Sequence, residues 1–381
     1  MTAEFSSNPD RSCLSLSPRK PPEPAPVPGV IPTVTPRVVR KRMRGVSLVE
    51  LLVAVAIGMV LIAGALAVFV DSRQTARVTR SLARIEEHGL FAADEISRSL
   101  ELAGYWGQNN NTSLVQGRTE RSSGAVSSAS TLTGATSNCT SADGYEWYTD
   151  LQRPIEGLDT DGSTADANDG SSYGTCIPDT TYNRISEGPF GASDILIVRY
   201  VDPTAIATLQ ANTVYVRSDP KQSQIFIGTT QPTGFSTSAN NYRLRAYAYY
   251  VSKYYETPGD GIPTLKRASL EAGPAIIPGS TNPQQEDIVM PGVESLHVQF
   301  GVDTTGDGSA NQYVNAGTVA ATQWDNVVSV RFWLIVRAEA SEANYANPGT
   351  YRLPQADVTP GDAFRRVRIT RTVQVRNIER T

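Results

Sequence analysis

A single carboxylate interrupts the most apolar stretch of this chain. Glu50 lies within residues 46–70, which carry no other charged side chain. About 20 apolar residues suffice for a helix to cross the hydrocarbon core of a membrane, and a carboxylate inside such a helix costs roughly 2.5–3.5 kcal/mol. Glu50 is therefore either tolerated near the lipid headgroups or neutralised by a charged partner.

A second group of oxygen-bearing side chains resembles part of a calcium loop. The segment DTTGDGSANQYV places ligand-type residues at the offsets of such a loop, namely Asp303, Thr305, Asp307, Ser309 and Asn311. The twelfth position is Val314, where a helix–loop–helix calcium site requires a bidentate glutamate. The pattern favours a solvated turn between strands, with weak calcium binding as the alternative.

Other residues that could do chemistry give weaker patterns. Four aspartates have irregular spacing and predict a solvated acidic loop: Asp159, Asp161, Asp166 and Asp169. His88 and His297 lack metal-ligand spacing, so both are interpreted as packing or surface residues. The sequence contains no nucleophile elbow, Walker loop or dinucleotide glycine pattern. We therefore expect neither catalysis nor a cofactor.

The charges flanking the apolar run predict its orientation. Basic residues precede it, namely Arg37, Arg40, Lys41, Arg42 and Arg44, whereas Asp71 follows it. By the positive-inside rule, residues 1–45 stay in the cytoplasm and the part after Asp71 is exported. Residues 1–45 hold 8 Lys and Arg against 3 Asp and Glu, a net charge of +5, and the remainder has 26 against 35, a net of −9. So acidic an exported part argues against nucleic-acid binding.

The ends of the apolar run differ from those of a secretory signal. The run is longer than a signal-peptide core, and no small-residue cleavage site follows it. Residues 1–36 are proline-rich and are expected to be disordered. They form either a genuine leader or an over-extended start, since Met43 lies just before the apolar run.

A helical pattern continues beyond the apolar run. Apolar or small residues recur every three or four positions along one face: Val78, Leu82, Ile85, Gly89, Ala92, Ile96 and Leu100. Because no proline occurs in 46–104, one helix is expected, ending near Gly104. Residues 46–70 form its membrane half, and residues 71–104 its amphipathic half.

The remainder, residues 105–381, predicts a β-rich domain. Residues 107–192 are rich in Ser, Thr, Asn, Gly and Asp and are expected to form long surface loops. After Asp194 the apolar period becomes two, which predicts strands in DILIVRYV, TVYVRS, QIFIGT, YRLRAYAYYVSKYY, VESLHVQFGV, VVSVRFWLIVRA and RRVRITRTVQVRN. The tyrosines of YAYYVSKYY are assigned to strand pairing and packing, with an adhesive surface as the alternative. The fold class is α+β, with the amphipathic helix covering a mostly antiparallel sheet.

A basic leader ending in Gly45, followed by VSLVEL and an apolar helix, resembles the class III signal of type IV pilins and pseudopilins. The resemblance implies that a prepilin peptidase cuts between Gly45 and Val46, and that the new amine of Val46 is methylated. Glu50 would then neutralise the N-terminal amine of a neighbouring subunit. Two residues depart from the pattern: Val46 replaces the usual phenylalanine, and Ala67 stands where a helix-melting proline is common.

Later segments resemble PilW-type minor pilins in order: SLARIEEHGLFAADEISRSLELAGYWG, GIPTLKRASL, VESLHVQFGVDTTGDGSANQY, WDNVVSVRFWLIVRA and RRVRITRTVQVRN. The resemblance covers 44–106 and 242–377 well and 107–241 poorly. Gln108 stands where relatives often carry cysteine.

Together these resemblances imply a minor pilin that takes part in type IV pilus assembly and initiation. It would be held in the inner membrane by one span, with its C-terminal domain in the periplasm, and then incorporated at or near the pilus tip. Implied partners are the prepilin peptidase, other minor pilins, the major pilin, the inner-membrane assembly platform and membrane lipid, with roles in motility or adhesion. Two alternatives remain, a minor pseudopilin of type II secretion and a signal-anchored periplasmic binding protein.

The cysteine count gives a first prediction. Cys13 falls in the leader, so Cys139 and Cys176 remain in the exported part and are expected to form one disulfide there. This bond closes a loop of about 40 residues and contributes about 3–4 kcal/mol in the chain-entropy model. Mass spectrometry of non-reduced peptides from periplasmically produced protein should recover the linked pair. Two alkylatable thiols at these positions would refute it.

Overall fold

A computed structural model describes residues 45, 47–118, 148, 150–159, 184–185, 188–211, 213–270 and 284–377. The chain divides into two compact units, Met1–Leu66 and Ala67–Thr381. The helix α1, Leu48–Leu102, contributes residues to both. Its first backbone hydrogen bond runs from the N–H of Leu51 to the carbonyl of Ser47, at 3.0 Å.

The helical part of the first unit is apolar and exposed all round. No residue between Leu48 and Leu66 is buried. This helix is the one element of the described residues that is long and apolar enough to cross a membrane, with a mean hydropathy of 2.8 in its most apolar window. Such a surface is stable in lipid or against other apolar helices, and not in water.

The second unit contains the rest of α1 and fourteen described strands. In chain order these are β1 Val115–Gln116, β2 Ile155–Leu158, β3 Ile195–Val201, β4 Val214–Ser218, β5 Ser223–Ile227, β6 Asn240–Ser252, β7 Thr264–Leu270, β8 Gln284–Pro291, β9 Val293–Val302, β10 Gln312–Asn315, β11 Val327–Arg337, β12 Tyr351–Arg352, β13 Asp357–Val358 and β14 Arg366–Gln374. Short 3₁₀ helices occupy Thr112–Leu114, Ala316–Thr318 and Ala321–Asn326.

The strands form two main sheets and one short hairpin. Eight strands are joined in the order β1-β5-β4-β6-β3-β2, with β7 paired to both β6 and β8. Four more are joined in the order β10-β9-β11-β14, all antiparallel. Strands β12 and β13 pair with each other. Only β1 and β5 pair in parallel, so the described fold is α+β with mostly antiparallel sheets, as predicted.

The amphipathic half of α1 packs into the larger of two apolar clusters. It contributes Ile85, Ala92, Ala93, Ile96 and Leu100, all buried. All of these except Ala93 belong to the predicted apolar face. The same cluster contains residues of the four-stranded sheet and one face of β3 and β6. The predicted packing of this helix on an antiparallel sheet is therefore confirmed.

The eight-stranded sheet is covered on both faces, an arrangement that the sequence analysis did not predict. Along β3, Leu196 and Val198 join the cluster with the helix, whereas Ile195 and Ile197 join a second cluster on the other face. All seven residues of β3 are buried. Its continuous apolar run reflects a central strand that is covered on both faces.

The prediction of surface loops for 107–192 is wrong for part of the described residues. Strand β2 is buried at all four positions, and Leu151 has no exposed surface. Glu156 in β2 is also buried, because it forms ion pairs with buried arginines. A strand of four residues that includes a glycine and a glutamate is too short to show a period of two.

One helix residue sets the distance between α1 and the four-stranded sheet. A Cβ atom added to Gly89 would lie 2.7 Å from Cγ1 of Ile369 and 3.2 Å from Cγ2 of Val336. Both distances are shorter than normal carbon–carbon contacts. Glycine at this position therefore allows close packing of the helix on β11 and β14, despite its lower helix propensity.

The close contact predicts that Gly89→Val is destabilising. The added side chain must displace Ile369 or shift the helix, and overpacking of this kind typically costs about 1–3 kcal/mol. Chemical denaturation of the full chain in detergent should show this loss in the free energy of unfolding. Ala83→Val is the matched control, because Ala83 is exposed on the same helix and should change stability by less than about 0.5 kcal/mol. Equal losses in the two variants would contradict the packing role.

Candidate functional site

The residues of the predicted processing site lie where the chain enters α1. Gly45 is exposed, and a Cβ placed on it would have no atom within 4 Å. The helix starts three residues later at Leu48, while Val46 lies outside the described residues. Gly45 thus stands in an accessible, non-helical position directly before a helix.

Glu50 occupies the first turn of α1 and is exposed. A carboxylate is favoured there by the partial positive charge of the helix N-terminus, which contributes about 0.3–1 kcal/mol at exposed sites. Its neighbours on the helix are apolar and largely exposed, such as Leu48 at 73 % and Leu51 at 59 %. The site therefore consists of a lone negative charge at the base of an apolar helix.

The segment that resembles a calcium loop connects β9 to β10 in an antiparallel hairpin, with Val302 opposite Gln312. The carboxylate of Asp303 accepts hydrogen bonds from the backbone N–H groups of Thr305, Gly306 and Gly308, at 3.0, 2.7 and 2.6 Å. Burial raises the pKa of Asp303, but these hydrogen bonds outweigh it and leave the pKa lowered. The segment is a turn between strands, as predicted, but Asp303 itself is buried and not solvated, because N–H groups of the turn surround its carboxylate.

Two further oxygen atoms of this hairpin also accept internal hydrogen bonds. Oδ1 of Asn311 accepts from the N–H of Thr304 at 2.8 Å, and Oδ1 of Asp307 accepts from the N–H of Ser309 at 2.8 Å. Within the described part of the chain, no group of three or more His, Cys, Asp or Glu side chains is placed to hold a metal ion.

The structure describes one of the four aspartates of the predicted acidic loop. Asp159 is 8 % exposed, so the prediction that it is solvated is wrong. It follows directly after the buried strand β2, which explains the burial. Asp161, Asp166 and Asp169 lie outside the described residues, as do Cys139 and Cys176.

Both histidines contact other elements of the fold. Nδ1 of His88 lies 3.2 Å from the carbonyl oxygen of Pro291. His297 is buried, its Nε2 lies 2.7 Å from Oγ of Ser295, and burial lowers its pKa to about 4. A histidine of this kind is neutral near pH 7 and belongs to the packed interior.

The tyrosines of YAYYVSKYY also serve packing. Tyr247, Tyr249 and Tyr250 are buried in β6. The hydroxyl of Tyr249 lies 2.8 Å from Oγ of Ser99, so this pair links the helix to the eight-stranded sheet. Tyr254 and Tyr255 are half-buried.

Sequence reasoning missed a network of buried ions. Glu156 lies 3.1 Å from Nη2 of Arg199 and 3.1 Å from Nη1 of Arg153, and all three side chains are almost fully buried. A second network joins Arg366 to Glu294 at 2.6 Å and to Asp362 at 2.5 Å. The arginine inside the apolar run ILIVRYV was the available signal for the first network. Both networks connect segments that are distant in sequence, so they fix the relative positions of strands.

Two family models match the chain. Residues 248–377 match the type IV pilus-assembly protein W, and residues 40–66 match the prokaryotic N-terminal methylation motif. No curated protein matches significantly. Among solved structures, a type IV-like pilin from Thermus thermophilus aligns with 45 % of this chain and 87 % of its own length, at 16 % identity and a TM-score of 0.21.

The occupied carboxylate of Asp303 predicts that the β9–β10 hairpin binds calcium weakly or not at all. Calcium would have to compete with three backbone donors for the Asp303 carboxylate, and Val314 supplies no carboxylate at the twelfth position. Titration calorimetry of the full chain should detect no site tighter than about 10⁻⁵ M, the weak end of the sensor range. Tighter saturable binding that Asp307→Asn abolishes would show that the hairpin is a calcium site.

Proposed function

We propose a function for this chain on the premise that it is a PilW-type minor pilin of the type IV pilin superfamily, with its PilW match over 248–377 and its methylation motif over 40–66. It acts in the initiation of type IV pilus assembly and is incorporated at or near the pilus tip. The observation that carries the proposal is the combination, in one chain, of the Gly45–Glu50 motif with a PilW domain.

The proposed location follows from the charge of the flanks. Residues 46–70 anchor the protein in the inner membrane as a single span, and the basic leader before Gly45 stays in the cytoplasm. The β-rich second unit then lies in the periplasm until the subunit enters the filament. Export also places Cys139 and Cys176 where a disulfide can form.

Processing creates the partner that Glu50 requires. Cleavage after Gly45 leaves a positive amine on Val46, and methylation of this amine keeps its charge. An amine and a carboxylate attract strongly in a medium of low dielectric constant, although their desolvation offsets much of that gain. The pair of Glu50 in one subunit with Val46 of a neighbour therefore acts mainly by fixing their register in the filament.

The second unit provides a rigid body for this role. Beside the tight contact at Gly89, charged residues of α1 form ion pairs with three different strand or loop segments: Arg84 with Glu339 at 2.8 Å, Asp94 with Arg371 at 3.1 Å, and Glu95 with Arg267 at 2.8 Å. Arg371 lies in β14 and Arg267 in β7, so these pairs and the packed face attach the helix to both sheets. Such attachment suits a structural subunit, and we propose no catalytic role.

The proposed partners are the prepilin peptidase, the other minor pilins, the major pilin and the assembly platform of the inner membrane. The alternative of a type II secretion pseudopilin shares the leader and the helix, but the match to a pilus-assembly family over 248–377 favours the pilus. A signal-anchored periplasmic binding protein would retain residues 1–45 on the mature chain, which gives a direct distinction.

The motif predicts that Gly45 and Glu50 have separable roles. Gly45→Val should remain an uncut precursor in the membrane, because a side chain before the scissile bond blocks the peptidase site. Glu50→Ala should be cut normally but reach sheared filaments in much lower amount, because the amine of Val46 loses its partner. Membrane retention of Glu50→Ala should not fall, since removing a charge favours the helix in lipid. N-terminal sequencing of the membrane form and immunoblots of sheared filaments measure these outcomes.

Val49→Ala is the control for Glu50→Ala, because it shortens the adjacent exposed side chain without changing charge. It should be cut and assembled as in the wild type. Wild-type amounts of Glu50→Ala in filaments would disprove the pairing role, and cutting of Gly45→Val at the same bond would disprove the processing site.

A further inference from the structure

A basic groove lies within the second unit, beside the first turns of α1 after the apolar run. It has a volume of about 900 Å³ and separates helix residues 69–88 from the segment 337–344. Arg73, Arg77, Arg80 and Arg84 line it. Their spacing of four, three and four residues places them on one side of the helix.

Most of this positive charge is uncompensated. Arg84 pairs with Glu339 at 2.8 Å, and Glu342, also in the groove wall, pairs with Arg365 at 2.8 Å. By contrast, no described residue forms an ion pair with the other three, Arg73, Arg77 and Arg80. The groove therefore offers three free guanidinium groups and no free carboxylate from Glu339 or Glu342.

The free arginines are those closest to the membrane. With Val70 as the boundary and a rise of 1.5 Å per residue, Arg73, Arg77 and Arg80 lie about 4.5, 10 and 15 Å beyond it, and Arg84 about 21 Å. The headgroup layer is about 5–8 Å thick on each side. Helical side chains lean toward the N-terminus, here toward the membrane, and the guanidinium of Arg73 lies 4.3 Å from the ring centre of Phe69. The arginine furthest from the membrane has a protein partner instead.

The position of these charges is unusual for an exported flank. Basic residues are normally enriched on the cytoplasmic side of a span. The lower end of the groove is lined by Phe69 and Val70, the last residues of the apolar run. Its surface thus changes from apolar to basic over about two helical turns, which matches a molecule with an acyl chain and a phosphate.

We propose that this groove binds an anionic phospholipid from the exported-side leaflet. Arg73 and Arg77 contact the phosphate group, since guanidinium groups bind phosphate oxygens in a bidentate manner, and Arg80 adds positive charge further from the membrane. The acyl chains lie along Phe69 and Val70. The inference rests on the proposed membrane anchoring by residues 46–70, and it does not require processing or assembly. Bound lipid would hold the subunit in the membrane until it is extracted into the filament.

The test measures lipid binding to the purified full chain in a nonionic detergent. Mixed micelles of phosphatidylglycerol are titrated and binding is followed by thermophoresis, with phosphatidylcholine and inorganic phosphate as the other arms. Saturable binding is expected with phosphatidylglycerol alone. Arg73→Gln/Arg77→Gln should lower the affinity for phosphatidylglycerol at least about tenfold. Each basic residue at an anionic surface changes the affinity about fivefold, and this variant removes two.

The matched control is Arg98→Gln/Arg352→Gln, which removes the same charge from exposed arginines outside the groove and should leave the affinity unchanged. Should the first variant unfold, Arg73→Lys/Arg77→Lys keeps the charge and should lose part of the affinity.

Equal weakening by both glutamine pairs would overturn the site, as would equal binding of the two lipids. Competition by inorganic phosphate at equal concentration would assign the groove to a free anion, and arginine-dependent dimerisation would assign it to a second copy. Either result overturns the proposal. Because cleavage at Gly45 and entry into filaments are measured separately, failure here leaves the proposed function untouched.

Discussion

A single helix in this protein carries two different kinds of surface along its length. Its first part exposes apolar side chains in every direction, and its second part hides one face and exposes charges on the other. No capping residue or proline marks the change, which occurs at Asp71 purely through composition. Because the backbone of a helix satisfies its own hydrogen bonds, the same secondary structure is stable in lipid and in water, and only the side chains need to differ. One continuous helix can therefore join the apolar segment to the β-rich unit.

The buried face of the helix accounts for the architecture of the second unit. A face made mainly of Ala, Gly and Ile can approach a sheet closely, and it contacts the four-stranded sheet and one side of the eight-stranded sheet in a single cluster. The larger sheet must then cover its other side, which it does with a second cluster around Trp106, Tyr148 and Tyr250. The second unit is thus built around two apolar clusters, one on each face of the eight-stranded sheet.

The parts of the fold that could be predicted are those with a regular and extended pattern. Strands β11 and β14 were predicted because apolar residues recur at every second position on one face over much of each strand, from Val328 to Val336 and from Val367 to Val373. The two-sided burial of β3 could not be deduced, since a continuous apolar run does not say what covers each face. Strand β2 was not predicted, because its burial depends on the ion pair of Glu156 with Arg199. These two residues are 43 positions apart, so no local sequence pattern shows the pair. The motif around Gly45 and Glu50 could be recognised because it lies in one short segment, and the match over residues 40–66 agrees with it, while the roles of the two residues stay predictions. The arginine groove was not, because its second wall comes from residues 337–344.

The contact at Gly89 has a consequence for how such proteins can diverge. A side chain at position 89 fits without a shift of the helix or of its neighbours only if Ile369 or Val336 becomes smaller. These three positions, spread over 280 residues of sequence, are therefore coupled. A helix transplanted from a relative with alanine or serine at this point is expected to dock without strain only onto a sheet that carries smaller residues opposite it. The sheet residues that face this position thus constrain which helices can be exchanged between related proteins.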